Sequence, residues 1–88
     1  MNDDEFYDIF GFVKASRYRI LTLQSIGEDL KTPTQVAREL NVQTSHISAT
    51  LKSLKNKGIV VCVNENVRKG RLYACSDLGL KILEELND

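Results

Sequence analysis

The spacing of apolar residues along the chain predicts five helices and one β-hairpin. Apolar side chains recur every three or four positions in five segments, which is the period of an α-helix. The predicted helices cover residues 3–14, 15–25, 33–40, 43–57 and 77–86. Between the last two, the stretch IVVCVNENVRKGRLYAC contains two β-prone runs separated by polar, turn-forming residues. This arrangement predicts two paired strands with a basic tip.

Local signals mark the ends of the two central helices. Thr32 is a suitable N-cap, Pro33 suits the first helical position, and Gln35 is placed to complete a capping box. Asn41 follows this helix where the chain must turn sharply, and asparagine tolerates the left-handed conformation. The segment PTQVARELNVQTSHISATLKSLKNKG therefore predicts a helix-turn-helix.

The inner side of this helix pair has the residues that a close crossing requires. Ala37 supplies the small residue at the point of contact. Four apolar residues are expected to fix the crossing angle from inside: Leu40, Val42, Ile47 and Leu51. The sequence predicts a single α+β protein, mostly helical, with a three-helix core, a β-hairpin and a flanking helix at each end.

The second helix of the pair begins with small polar residues, where lysine or glutamate would favour a helix more strongly. These residues are Gln43, Thr44, Ser45, Ser48 and Ala49. Short side chains let a helix backbone approach base edges in the major groove of DNA, and hydroxyl and amide groups can bond to those edges. We therefore expect this helix, residues 43–57, to be a recognition helix that reads bases.

Basic residues are concentrated in the recognition helix and the hairpin. The whole chain has a formal net charge of zero, but residues 43–71 contain six basic residues and one acidic residue, a net charge of +5. The remainder carries −5. A surface of this kind suits the phosphates of a nucleic acid. The expected contacts with the DNA backbone are His46, Lys52, Lys55, Arg68, Lys69 and Arg71.

Two stretches of the chain resemble the winged helix-turn-helix transcription regulators of the MarR-like and ArsR-like kind. They are TPTQVARELNVQTSHISATLKSLKNKGIV and RKGRLYACSDLGLKIL, and SRYRIL also resembles the first helix of many archaeal and bacterial members. The resemblance covers about residues 16–86 and implies a DNA-binding winged helix over 15–76, followed by a helix at 77–88. The helix at 1–14 is predicted from apolar spacing. It implies that the hairpin tip, 64–71, is a wing on the backbone or minor groove. The expected function is transcription regulation, as a repressor bound to double-stranded DNA.

The sequence departs from the family pattern at two places. The recognition helix has no arginine that could bond two atoms of a guanine, so base selectivity is expected either to be modest or to come from Gln43 and DNA shape. The family often has threonine where Cys75 stands, and Ser76 is the expected cap of the last helix here.

Catalytic, cofactor and metal chemistry find no support in the sequence. There is one histidine, no glycine-rich phosphate loop and no nucleophile beside a base, so we expect neither an enzyme nor a cofactor. Cys62 and Cys75 are expected on one face of the hairpin, as two small buried residues or as a redox pair, and a metal site would need further ligands. His46 can contact a phosphate, sense pH or have no role.

The N-terminal helix carries more aromatic residues than a small core needs. Four of the six aromatic residues of the chain lie within residues 3–14. Either all of them cover the core of the single chain, or a monomer leaves some exposed and a homodimer buries them. Dimers also suit DNA sites with two half-sites. The expected interface consists of Phe6, Ile9, Phe10, Val13, Leu83 and Leu86.

Two other functions fit the same predicted fold. A winged-helix subunit of a transcription or processing complex would bind protein, but it would not need the concentrated basic charge. RNA binding is disfavoured because no exposed aromatic platform is evident. The acidic start MNDDE is unlike a signal peptide, and no apolar run is long enough to span a membrane. We therefore expect a cytoplasmic protein, whose operator and effector the sequence does not identify.

Overall fold

The computed structural model describes residues 2–87, which form five helices and a two-stranded antiparallel sheet. The helices are α1 (Asp3–Lys14), α2 (Arg17–Ile26), α3 (Pro33–Leu40), α4 (Thr44–Asn56) and α5 (Asp77–Asn87). The strands are β1 (Val60–Cys62) and β2 (Tyr73–Cys75). The predicted α+β class, mostly helical with one hairpin, is confirmed. None of the helices within residues 2–87 is long and apolar enough to cross a membrane.

One apolar core joins all five helices to the hairpin. Each helix contributes a stripe of buried residues with helical spacing, as in α4, where the stripe is Ile47, Leu51 and Leu54. Ala37 is only 3% exposed on α3, which packs closely against α4. The small residue predicted at this crossing is therefore in place.

The turn between α3 and α4 is held by local hydrogen bonds. Thr32 Oγ1 accepts from the Gln35 amide at 3.1 Å, and Gln35 Oε1 accepts from the Thr32 amide at 2.8 Å, which completes the predicted capping box. Asn41 adopts the left-handed conformation with φ 58°. The next amide, that of Val42, donates to the Ala37 carbonyl at 3.0 Å. These bonds fix the direction in which α4 leaves the turn.

The hairpin is bonded to the chain segment that precedes α3. Val61 of β1 pairs with Ala74 of β2, and the strands are shorter than the β-prone runs in the sequence. On the other side of β2, the Lys31 amide donates to the Tyr73 carbonyl at 3.1 Å, and the Tyr73 amide donates to the Lys31 carbonyl at 2.8 Å. The hairpin is thereby held at a defined position beside the helix-turn-helix.

α2 begins later than the sequence pattern predicted. The expected start was Ala15, but the helix spans Arg17–Ile26. Ser16 has an extended backbone and accepts a hydrogen bond from the Arg19 amide through its Oγ, at 3.4 Å. This N-cap separates α1 from α2, because an extended residue cannot continue a helix.

The core of the single chain absorbs much of the aromatic surplus of α1. Phe6 is 4% exposed and Val13 is 0% exposed. The prediction that these two side chains form a dimer interface is therefore wrong, because each is already covered by its own chain. Ile9 and Phe10 are half-buried against the core, whereas Tyr7 is 58% exposed. The apolar surface left on α1 is centred on Tyr7.

α5 approaches the start of β1 through a buried glycine. A Cβ atom at Gly79 would lie 2.3 Å from the carbonyl oxygen of Ile59 and 3.2 Å from Cβ of Cys75. The helix is capped as predicted by Ser76, whose Oγ accepts from the Gly79 amide at 3.2 Å. The absence of a side chain at Gly79 thus sets how closely α5 packs on the hairpin.

Candidate nucleic-acid interface

The outer stripe of α4, opposite its buried stripe, carries small residues near its start. Ser45 and Ala49 lie on this stripe, and Lys52 follows one turn later; all three are exposed. Gln43 is the N-cap of α4, but its side chain makes no capping hydrogen bond. Its amide group is therefore available to a ligand at the tip of the helix, and the outer stripe can approach another surface closely.

A groove of about 540 Å³ separates α4 from the wing, residues 64–71. Thr44 and Ser48, which lie on the flank of α4 facing the wing, line one wall. The other lining residues come from the start of α3, from the wing and from β2: Thr32, Pro33, Thr34, Arg68, Lys69, Gly70, Arg71 and Tyr73. Hydroxyl groups thus face cationic side chains across a channel that can hold a phosphate backbone.

The two cations at the tip of the wing are exposed and available. Within residues 2–87, neither Arg68 nor Lys69 forms an ion pair or a side-chain hydrogen bond. Gly70, with φ 71°, follows them and turns the chain back toward β2. The wing therefore presents two adjacent positive charges to solvent.

Asn64 organises the base of the wing. Its Oδ1 accepts from the Leu72 amide at 2.8 Å, and its Nδ2 donates to the Gly70 carbonyl at 3.1 Å. These bonds connect the outgoing and returning ends of the wing. Sequence reasoning placed Asn64 only among the turn-forming residues, because nothing local indicates a bond to residues six and eight positions away.

Arg71 has an internal role that the sequence analysis did not assign. Its Nε donates to the Val67 carbonyl at 2.8 Å, and its Nη2 donates to the Glu65 carbonyl at 3.2 Å. The expectation was a direct contact with the DNA backbone. The guanidinium instead braces the wing from inside, although it retains donors that can reach the groove.

Lys55 is likewise engaged within the protein. Its ammonium group forms an ion pair with Glu65 of the wing, so the charge predicted to face DNA is shared with a carboxylate. The hydrogen bond from Lys55 lowers the pKa of Glu65, and the same bond raises the pKa of Lys55. The pair joins the recognition helix to the wing and thus helps to fix the width of the groove between them.

The flank of α4 that faces away from the wing contacts the start of α2. His46 is exposed on this flank, and its ring centroid lies 5.4 Å from that of Tyr18, with 60° between the ring planes. Tyr18 is 40% exposed, and its neighbour Arg17 is also exposed. Sequence reasoning assigned no role to Tyr18 or Arg17. The only signal was the similarity of SRYRIL to a family helix.

The two cysteines lie on the same face of the hairpin, as predicted. Cys62 pairs with Tyr73 and Cys75 pairs with Val60, so the thiols are diagonal neighbours, and both are free. Burial raises the pKa of the Cys75 thiol to about 11, which disfavours the reactive thiolate near neutral pH. No group of three histidine, cysteine or acidic residues within 2–87 could hold a metal ion. These observations favour small packing residues over a redox pair.

The helix-turn-helix, with a hairpin beside its second helix, gives the chain a winged helix-turn-helix fold. TubR from Bacillus thuringiensis serovar israelensis, bound to 24 bp of tubC, is similar in structure, with a TM-score of 0.80 and 20% identity over 99% of this chain and 94% of that one. NolR from Sinorhizobium fredii gives a TM-score of 0.73 and 24% identity over 97% and 84%. Another structure, of a type III plasmid segregation TubR, gives a TM-score of 0.75 and 20% identity, over 99% of this chain and 86% of that one.

These likenesses confirm the fold predicted from the sequence. No protein-family model and no curated protein matches the chain. At these identities the comparisons concern the fold, so the chemistry of the site depends on the residues described above.

Proposed function

We propose that the protein is a transcription regulator that binds double-stranded DNA. α4 enters the major groove, and the wing contacts the adjacent backbone or minor groove. Residues 15–76 bind DNA, residues 1–14 form a dimer contact, and residues 77–88 support it. In this proposal the protein represses transcription and belongs to the MarR-like or ArsR-like class. It acts in the cytoplasm and is not an enzyme.

One observation carries this proposal: α4 exposes small polar side chains directly beside a groove whose far wall is cationic. Base edges require the short side chains, and phosphates require the charges. Neither feature is needed by the core, since the residues concerned are exposed. Additional support comes from TubR, which has this fold and is bound to base pairs of tubC.

The proposal predicts that base reading and backbone contact can be separated by substitution. On duplexes selected from a random pool, Ser45→Ala or Gln43→Ala should change the order of preference, by about 1–3 kcal/mol for each good base contact that is removed. Arg68→Ala or Lys69→Ala should weaken binding to selected and scrambled duplexes alike. Competition fluorescence anisotropy measures both effects.

The control for these variants is Lys81→Ala, which removes one exposed charge from α5; its association is checked by sedimentation, because Lys81 Nζ lies 4.5 Å from the centroid of the Phe6 ring. Arg71→Ala is unsuitable, because it would also remove two bonds inside the wing. DNA binding would be refuted if the wild-type protein bound no duplex at low salt. That result would leave the protein-interaction subunit as the alternative.

We further infer that the protein forms a homodimer through α1. Tyr7 is exposed beside Phe10, with ring centroids 6.4 Å apart in a T-shaped arrangement. Ile9, also predicted for the interface, is partly buried and lies about 160° around the helix from Tyr7, so it can contribute only at the far edge of this contact. Leu83 and Leu86 of α5 are packed partly against the core and contribute only their remaining exposed edges.

The dimer is tested by Tyr7→Asp, which places a charge at the centre of the inferred contact. Each dimer would then bury two rings fewer, so the dissociation constant should rise by at least about a hundredfold. Sedimentation equilibrium measures it, with Tyr7→Phe as the matched control. Removing residues 1–13 would not be informative, because it also removes Phe6 and Val13 from the core. A monomeric wild type, or unchanged association of Tyr7→Asp, would contradict the inference.

A further inference from the structure

α4 has a second exposed flank, which does not face the wing. Thr44 and Ser48 turn toward the wing groove, whereas His46 lies on the opposite side of the helix, against Tyr18 at the start of α2. The outer stripe, with Ser45, lies between these flanks. The recognition helix is therefore bordered on one side by the wing and on the other by the first turn of α2.

This arrangement matches the dimensions of the major groove. The groove is about 12 Å wide, and a helix with its side chains is about 10–12 Å across, so both flanks of an inserted helix come close to phosphates. If the outer stripe faces the bases, the wing meets one of the two strands. The flank with Tyr18 and His46 then meets the other strand.

Tyr18 and its sequence neighbour Arg17, both in the first turn of α2, have the chemistry that a phosphate requires. Tyr18 combines a partly exposed ring with a hydroxyl donor, and the ring contacts that of His46. Arg17 is exposed, and within residues 2–87 it forms no ion pair or side-chain hydrogen bond. An arginine with all its donors available is well suited to a phosphate oxygen pair.

A nearby arginine on the same helix is not available in this way. The Arg19 guanidinium donates to the Phe12 carbonyl at 2.8 Å and lies 3.8 Å from the centroid of the Phe12 ring. Arg19 therefore fastens α1 to α2. Arg17, on the same helix two positions earlier, has no such partner within residues 2–87.

We propose that Tyr18, Arg17 and His46 form a second phosphate-binding surface on the side of α4 opposite the wing. The recognition helix is then held by backbone contacts to both strands that border the major groove. This inference rests on the proposed function, and it adds Tyr18 and Arg17 to the residues that bind DNA. Its ligand is the phosphate backbone of the DNA strand that the wing does not contact.

The two side chains should give different signatures in a salt titration of DNA binding. Arg17→Ala should reduce the slope of log K against log salt by about 0.9 for each protomer bound, because each protomer then neutralises one phosphate fewer. Tyr18→Phe keeps the ring against His46 and removes no charge. It should lower affinity about threefold to tenfold per protomer, the effect of one hydrogen bond, without changing the slope.

Neutral methylphosphonate substitution at single positions of the bound duplex locates the contact. A methylphosphonate placed at a phosphate that Arg17 contacts should weaken DNA binding by the wild type but not by Arg17→Ala. Within each half-site, these positions should lie on the strand opposite to those that respond to Arg68→Ala. A variant that only loses packing should remain sensitive to methylphosphonate at every position. This measurement therefore separates a phosphate contact from a structural role.

The outcomes of this experiment distinguish the inference from the proposed function. Failure of the wild type to bind duplex DNA would overturn both. If the wild type binds while Arg17→Ala and Tyr18→Phe behave like Lys81→Ala, only the second surface is wrong. Interference by Arg17 and Arg68 at the same phosphates would also overturn it, because the two flanks would then contact one strand.

Discussion

Replacing Gly79 with alanine should lower the free energy of unfolding by about 2–3 kcal/mol, a large effect for one methyl group. The added Cβ would lie 2.3 Å from the carbonyl oxygen of Ile59, which is backbone and cannot rotate away. α5 must therefore shift from the start of β1. The higher helix propensity of alanine offsets only about 1 kcal/mol of the cost. For a domain of this size, the midpoint of thermal unfolding should fall by about 10–20 °C.

Gly11 provides the matched control, because it is also a helical glycine but a Cβ atom added there would point into open space, with no atom of residues 2–87 beyond its own helix backbone and chain neighbours within 4 Å. Gly11→Ala should therefore stabilise the protein by up to about 1 kcal/mol through helix propensity alone. Both variants are compared by thermal and urea unfolding followed by circular dichroism. Equal effects of the same sign would show that the approach of α5 to Ile59 does not constrain position 79.

Much of the helix-turn-helix was predictable because its determinants are local. The capping box joins Thr32 to Gln35, three positions later. A tight turn after a helix requires a left-handed residue, and Asn41 tolerates that conformation. Ala37 could be inferred from the need for a small residue between two crossing helices. Each of these predictions rests on residues a few positions apart, where the backbone geometry is already known.

The wing was predicted as a basic hairpin tip, but its internal bonding was not. Arg71 and Lys55 appeared in the sequence as further positive charges, and only the folded chain shows them paired with the Glu65 carbonyl and carboxylate, respectively. Their contacts depend on the path of an irregular loop. The composition of the wing specifies that its net charge is positive. The path of the loop determines which of its cations remain available to a ligand.

Contacts between distant parts of the chain account for the other omissions. The closeness of Tyr18 to His46 depends on how α2 crosses α4, and the close approach at Gly79 depends on how α5 packs against the residue before β1. The periodicity of one helix cannot supply either relation. It also could not show that Phe6 and Val13 are covered by their own chain.

DNA affinity should depend steeply on salt, because phosphate contacts supply much of the proposed binding energy. The free cations of the outer stripe and wing are Lys52, Arg68 and Lys69 within residues 2–87. In a dimer they amount to about six contacts, which contribute about −5 to the slope of log K against log salt, and the inferred Arg17 contacts add about −2. Between about 50 and 200 mM salt, the affinity should therefore fall by at least about a thousandfold. Fluorescence anisotropy on one labelled duplex measures the whole titration.

The double variant Arg68→Ala/Lys69→Ala gives this prediction its sharpest form. It removes about four of the six contacts from a dimer, so the slope should become shallower by about three to four units, at about 0.9 for each contact. Lys81→Ala changes the net charge on α5 and should leave the slope as it is, because counterions are released only where a cation meets a phosphate. A wild-type slope near zero would contradict binding through phosphates. A slope that the double variant leaves unchanged would move the contact away from the wing.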